Sequence, residues 1–149
     1  MGVRRQAREW ALQFLFQRDF SRDDVATELA DFWEDKKPSP RARSFTEELI
    51  YGVEEQRQQL DEWIGRFAAN WDVKRMGGVD RNAMRIALFE MTSNLDVPPI
   101  VSIDEAVELA KVYSSNQSAR FVNGILDRAR SELDCDAKKR SLKSGKETH

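Results

Sequence analysis

Cysteine and histidine are almost missing from this chain: among 149 residues there is one of each. Cys135 alone cannot close an intramolecular disulfide, and it stands in a polar stretch, so a reducing cytoplasm is the expected location. His149 is the last residue, which excludes a histidine triad or a histidine metal cluster held on a rigid frame. No metal ion and no cofactor are expected. Long apolar runs are also lacking. Nothing approaches the roughly eighteen apolar residues of a membrane span, and the segment after Arg4, Arg5 and Arg8 is short and interrupted by Gln13, unlike an export signal. Nowhere do apolar and polar residues alternate long enough to build a strand.

What is present is a charged, globular composition, 40% hydrophobic and 34% charged, with apolar residues at helical spacing almost throughout. The expected class is all-α, with about seven helices in two packed subdomains, residues 1–76 and 79–133. The first helix spans residues 3–17. Ser21 and Asp24 open a second, which runs to Trp33. A loop at 35–41 precedes a pattern of Phe45, Leu49, Val53, Leu60, Trp63, Ile64, Phe67 and Trp71, long enough that a break at Gly52 or within 54–59 is expected. Gly77-Gly78 divides the halves. After it Asp80 is expected to cap a helix that ends before Pro98-Pro99, and Ser102-Ile103-Asp104-Glu105 reads as a capping box opening the next. A last helix covers 118–133. The tail, 134–149, carries Lys138, Lys139, Arg140, Lys143 and Lys146 and is expected to be a solvated, disordered end.

The net charge of -2 argues against a wholly basic nucleic-acid binder, yet three arginines and no acid stand between residues 3 and 8. On a helical projection Ala7, Trp10, Ala11, Phe14 and Leu15 share an inward arc of about 140°. Arg4, Arg5 and Arg8 occupy a neighbouring arc of about 100°, and Leu12 and Phe16 project from the same side. Guanidinium groups bind phosphate through paired hydrogen bonds, and an exposed phenyl ring offers an unpaired base a platform, so this face suits single-stranded RNA. A solvated basic helix start, with Phe16 in the core, fits the same pattern. Arginines in a first turn oppose the helix dipole at a cost of about 0.3–1 kcal/mol each, which favours a functional reason for them.

Four segments in order resemble the NusB family of bacterial transcription antitermination factors. They are Arg4-Arg5-Gln6-Ala7-Arg8-Glu9; Val79-Asp80-Arg81 through Arg85-Ile86-Ala87-Leu88-Phe89-Glu90; Asp96-Val97-Pro98 leading to Ile103-Asp104-Glu105-Ala106-Val107-Glu108-Leu109-Ala110-Lys111; and Phe121-Val122-Asn123-Gly124-Ile125-Leu126-Asp127. The resemblance reaches to about Leu133. It implies a non-catalytic protein that pairs with a small-subunit ribosomal protein, NusE, binds boxA-type single-stranded RNA and joins an RNA polymerase antitermination complex, notably in ribosomal RNA operons. It places Arg4, Arg5, Arg8, Phe16 and Phe121 on or near the RNA surface and Asp80 where RNA and partner meet. Phe16 stands where tyrosine is often found, and Asp80 where glutamate is common. Periodicity alone leaves Phe121 open between core and contact, about 40° outside the apolar arc of its helix. A related module precedes the catalytic half of a ribosomal RNA cytosine methyltransferase, but this chain has no glycine-rich methyl-donor turn. A protein-only adaptor is the third alternative.

Overall fold

The structure is a computed structural model that describes residues 2–21, 23–93 and 97–147, with side chains through Leu133. The described residues form six α-helices and one 3₁₀ turn, without strands: α1 Val3–Arg18, α2 Val25–Trp33, α3 Pro40–Phe67, the turn Val73–Arg75, α4 Gly78–Thr92, α5 Pro99–Tyr113 and α6 Asn116–Glu147. The all-α class and the helix number agree with the sequence reading. None of the described helices is long and apolar enough to cross a membrane.

Local chemistry sets the helix ends. Asp24 accepts from the Thr27 amide to cap α2, and Ser39 accepts from Ala42 to cap α3, with Pro40 preset in the first turn. At the far end of α3, Ala69 and Asn70 turn into the left-handed region, φ 55° and 68°, and the Asn70 amide donates back to Gly65 at 2.7 Å. The hub is α4. Every residue from Asn82 to Glu90 is buried, because α1, α3, α5 and α6 all pack against this one helix. Phe14 of α1, Ile50 and Ile64 of α3, Met84 and Leu88 of α4, Ile103 of α5 and Leu126 of α6 share one continuous core. Burial of each such side chain contributes about 1.5–3 kcal/mol.

Three local expectations are corrected. No break interrupts α3: Gly52 lies in its middle, where an added Cβ would come within 2.0 Å of the Phe89 ring, so the glycine serves the close approach of α4. Asp80 does not cap α4. Gly77 precedes the helix, and Asp80 lies in its first turn. The Ser102 capping box does not form, since Pro98 and Pro99 start α5 a turn earlier; the Ser102 side chain is buried with its Oγ unpaired, and Glu105 reaches out to α1. Where an irregular tail is expected, the backbone of α6 is helical to Glu147; the side chains of Cys135, Lys138, Lys139, Arg140, Lys143 and Lys146 lie outside the described part.

Candidate nucleic-acid interface

The outer face of α1 carries the arginine and aromatic residues read from the sequence, and packing separates them. Arg4 is exposed, with its guanidinium 5.7 Å from the Phe45 ring centre. The Arg5 side chain is 54% exposed and reaches α5, where Nε and Nη2 donate to Glu105 Oε2 and Oε1 at 3.2 and 3.1 Å. That carboxylate holds the guanidinium further into its charged form. Arg8 is different. Its side chain is only 3% exposed, and it donates from Nη2 and Nε to Glu90 of α4 at 2.6, 3.0 and 3.1 Å, beside the Phe45 ring. The expected phosphate contact from Arg8 is therefore corrected: its donors face a buried carboxylate. Burial pushes the Glu90 carboxyl up, and the hydrogen bond and charge of Arg8 only partly offset it.

At the other end of α1, Phe16 remains 39% exposed and lies over Gly78, where an added Cβ would stand 2.7 Å from the ring. The absent side chain lets the start of α4 approach this ring. Phe20, one turn on, is 81% exposed and meets Phe16 edge-on at 5.8 Å. Leu12, expected on the outer side, is buried in the core. Phe16, Leu12, Gln13, Gln17, Val79 and Tyr113 line an open, mainly apolar cavity of about 360 Å³. Asp80 sits beside it in the sequence of α4, half-buried, with Oδ1 unpaired; burial raises its carboxyl, and a hydrogen bond from Ser118 of α6 pulls the other way. Phe121, also on α6, is half-buried, its ring tilted against Trp71 at 5.9 Å.

The structure thus brings Phe16 together with the start of α4, and keeps Arg4 and Arg5 at the opposite end of α1, about 16 Å away by helix rise. Phe20 and Tyr113 were not singled out in the sequence, and Glu105 was read only as part of a capping box. Phe20 was within reach of sequence reasoning as a second phenylalanine just past the end of the first helix, four residues after Phe16. The acid at 105 was not, because its partner is 100 positions distant.

An all-helical body centred on α4, with exposed arginines at one end of α1 and an exposed phenylalanine at the other, sets the class of the protein. Residues 5–131 match the model of the NusB family. The transcription antitermination protein NusB of Myxococcus xanthus (strain DK1622) is 42% identical over 132 residues, 86% of this chain and 94% of its own length. Among solved structures, T. maritima NusB superposes with a TM-score of 0.79 at 37% identity, covering 87% of this chain and 91% of that one. Antitermination factor NusB, solved with NusE and dsRNA, shares the fold with a TM-score of 0.80 at 23% identity, covering 89% and 98%. The chain belongs to the NusB family, and it is not an enzyme.

Proposed function

We propose that this chain is a transcription antitermination factor that binds boxA-type single-stranded RNA together with NusE and promotes read-through by RNA polymerase, notably in ribosomal RNA operons. The observation that carries this reading is the exposed face of α1, where Arg5 and Phe16 both stay open to solvent in a family whose named members are antitermination proteins. A related factor was solved with NusE and double-stranded RNA. For this chain an unpaired strand is favoured, because Phe16 and Phe20 offer ring faces that only an unstacked base can use. Arg4 and Arg5 supply phosphate contacts, Phe16 and Phe121 apolar or stacking contacts, and Asp80 the edge shared with NusE.

Filter binding of a short boxA-like RNA and a scrambled control, each with and without NusE, tests the reading. Tighter binding of the boxA-like RNA, strengthened by NusE, is the expected result. Each phosphate neutralised on a single strand contributes about -0.7 to the slope of log affinity against log salt, so Arg5→Ala should flatten that slope by about this amount for both RNAs. Phe16→Ala should leave the slope unchanged and weaken binding by about 1–3 kcal/mol. Binding of NusE with no RNA affinity at any salt concentration would make the chain a protein-only adaptor.

A further inference from the structure

Three guanidinium groups converge on Asp19, just beyond the end of α1. Asp19 Oδ1 accepts from Arg57 Nη2 at 2.5 Å and Arg85 Nη1 at 3.2 Å; Oδ2 accepts from Arg81 Nη2 at 2.7 Å and Asn82 Nδ2 at 2.8 Å. Arg85 gives its other edge to Asp61, from Nε at 2.7 Å and Nη2 at 2.9 Å. With Val73 and Lys74 these charged side chains line an open cavity of about 330 Å³.

The charges do not balance. Arg57, Lys74, Arg81 and Arg85 face two carboxylates, Asp19 and Asp61, an excess of two positive charges in the lining. Glu54, 3.9 Å from Arg57, is also 3.6 Å from Arg18, which in turn faces Glu28 at 3.4 Å; counting these three still leaves an excess of one positive charge. Position matters as much as number. Asp19 and Arg85 are buried with their polar atoms engaged, and Arg81 points Nη1 at the carbonyls of Val73 and Met76. The surplus lies on the solvent side: the Arg57 side chain is 37% exposed, and Lys74 is exposed, its ammonium in no described ion pair although its backbone amide donates to Asp72 Oδ1 at 3.0 Å. A network that served only to tie α1 to α3 and α4 would not need the exposed ammonium of Lys74. A guanidinium beside an exposed ammonium is a donor set that recognises a phosphate group.

The cavity also continues the surface already described. Gly78 separates the two, since a Cβ there would meet the Phe16 ring on one side and Arg81 Nη2, 3.7 Å away, on the other. From Arg5 to Asp19 α1 rises about 21 Å, room for several nucleotides. We propose that the cavity lined by Arg57, Lys74 and Arg81 is a phosphate subsite that receives a backbone phosphate of the RNA beyond the nucleotides held at Phe16. The identity of that phosphate as RNA rests on the function proposed above; the subsite itself does not.

The test has two arms on the full chain. In the first, filter binding across a salt series compares a short boxA-like RNA with versions lengthened by several nucleotides at either end. Lys74→Ala and Arg57→Gln should each flatten the salt slope by about 0.7 for one lengthened RNA and leave the short RNA unaffected. In the second, thermal melts in inorganic phosphate are compared with melts in chloride at equal ionic strength. Phosphate should raise the wild-type midpoint, and Lys74→Ala should abolish the rise. Stabilisation by phosphate with no length dependence would keep the subsite and make free phosphate its occupant. Normal slopes at every length, with no phosphate-specific stabilisation, would overturn the proposal. Arg57→Gln can weaken the fold by freeing Asp19, whereas Lys74→Ala removes no described ion pair. Failure of the α1 reading appears separately, as an Arg5→Ala variant with an unaltered slope, because the phosphate arm uses none of the α1 arginines.

Discussion

Less than one turn of α1 separates Arg5 from Arg8, yet one faces solvent and the other a buried carboxylate 82 positions away. Helical projection put both on one arc beside the inward stripe, but it carries no information about which element covers that arc. Here α4 covers it, and the Arg8 guanidinium with Glu90 becomes part of the interior. Removal of one partner from a buried pair costs about 3–5 kcal/mol, because the other charge is left without compensation. Arg8→Ala should therefore lower the thermal midpoint strongly, while Arg8→Met with Glu90→Met should recover most of the loss; a weakened RNA salt slope in a fully stable Arg8→Ala protein would contradict this. Asp19 supplies the pH dependence. Burial raises its carboxyl, but hydrogen bonds from Arg81 and Asn82 and the charge of Arg85 outweigh burial and leave it below its ordinary value of 3.8. A carboxyl depressed by folding stabilises above its unfolded value, and that stability is lost as pH falls through the folded one. Acid unfolding should thus have a component below pH 3.8 that Asp19→Asn removes, read by denaturant midpoints from pH 2 to 6.

The capped start of α2 was legible, whereas the starts of α3 at Pro40 and α5 at Pro99 were not, the first lying inside the expected 35–41 loop. Asp24 marks α2 in both sequence and structure, because an Asx cap acts within three residues. Ser102 and Glu105 have the spacing of a capping box, but the Pro98-Pro99 pair preorganises an earlier start, and the local motif is swallowed by the helix. Gly52 misled for a related reason: glycine marks a break or a close contact, and only the position of Phe89 decides which. Gly52→Ala should cost about 1–3 kcal/mol by overpacking, with unchanged helix content; a neutral effect in chemical denaturation would show that Phe89 can yield. The end of α3 offers the opposite change. Ala69 pays for a left-handed turn that glycine adopts freely, so Ala69→Gly should raise stability by up to about 1 kcal/mol, measured by the same denaturation series.

At the scale of the whole molecule, the all-helical class followed from apolar spacing and the lack of alternation, and four ordered motifs carried the family. The two-subdomain division at Gly77-Gly78 falls at the turn before α4, yet α4 packs on helices from both sides, and one core runs through them all. We propose that residues 1–76 and 79–133 unfold together. Circular dichroism and calorimetry should give a single coincident transition with matching van't Hoff and calorimetric enthalpies, and two resolved transitions would make the halves independent units.

The unequal placement of the four tryptophans has an optical consequence. Trp10 and Trp33 meet edge-on at 5.3 Å, with Trp33 in the core, and Trp63 packs against that core, whereas Trp71 is 59% exposed beside Phe121. A water-soluble quencher such as iodide will reach Trp71 first. Its red-edge emission then becomes an intrinsic reporter of the α6 surface: an RNA or protein that covers Phe121 should shield this one indole from iodide and leave the other three as an internal reference.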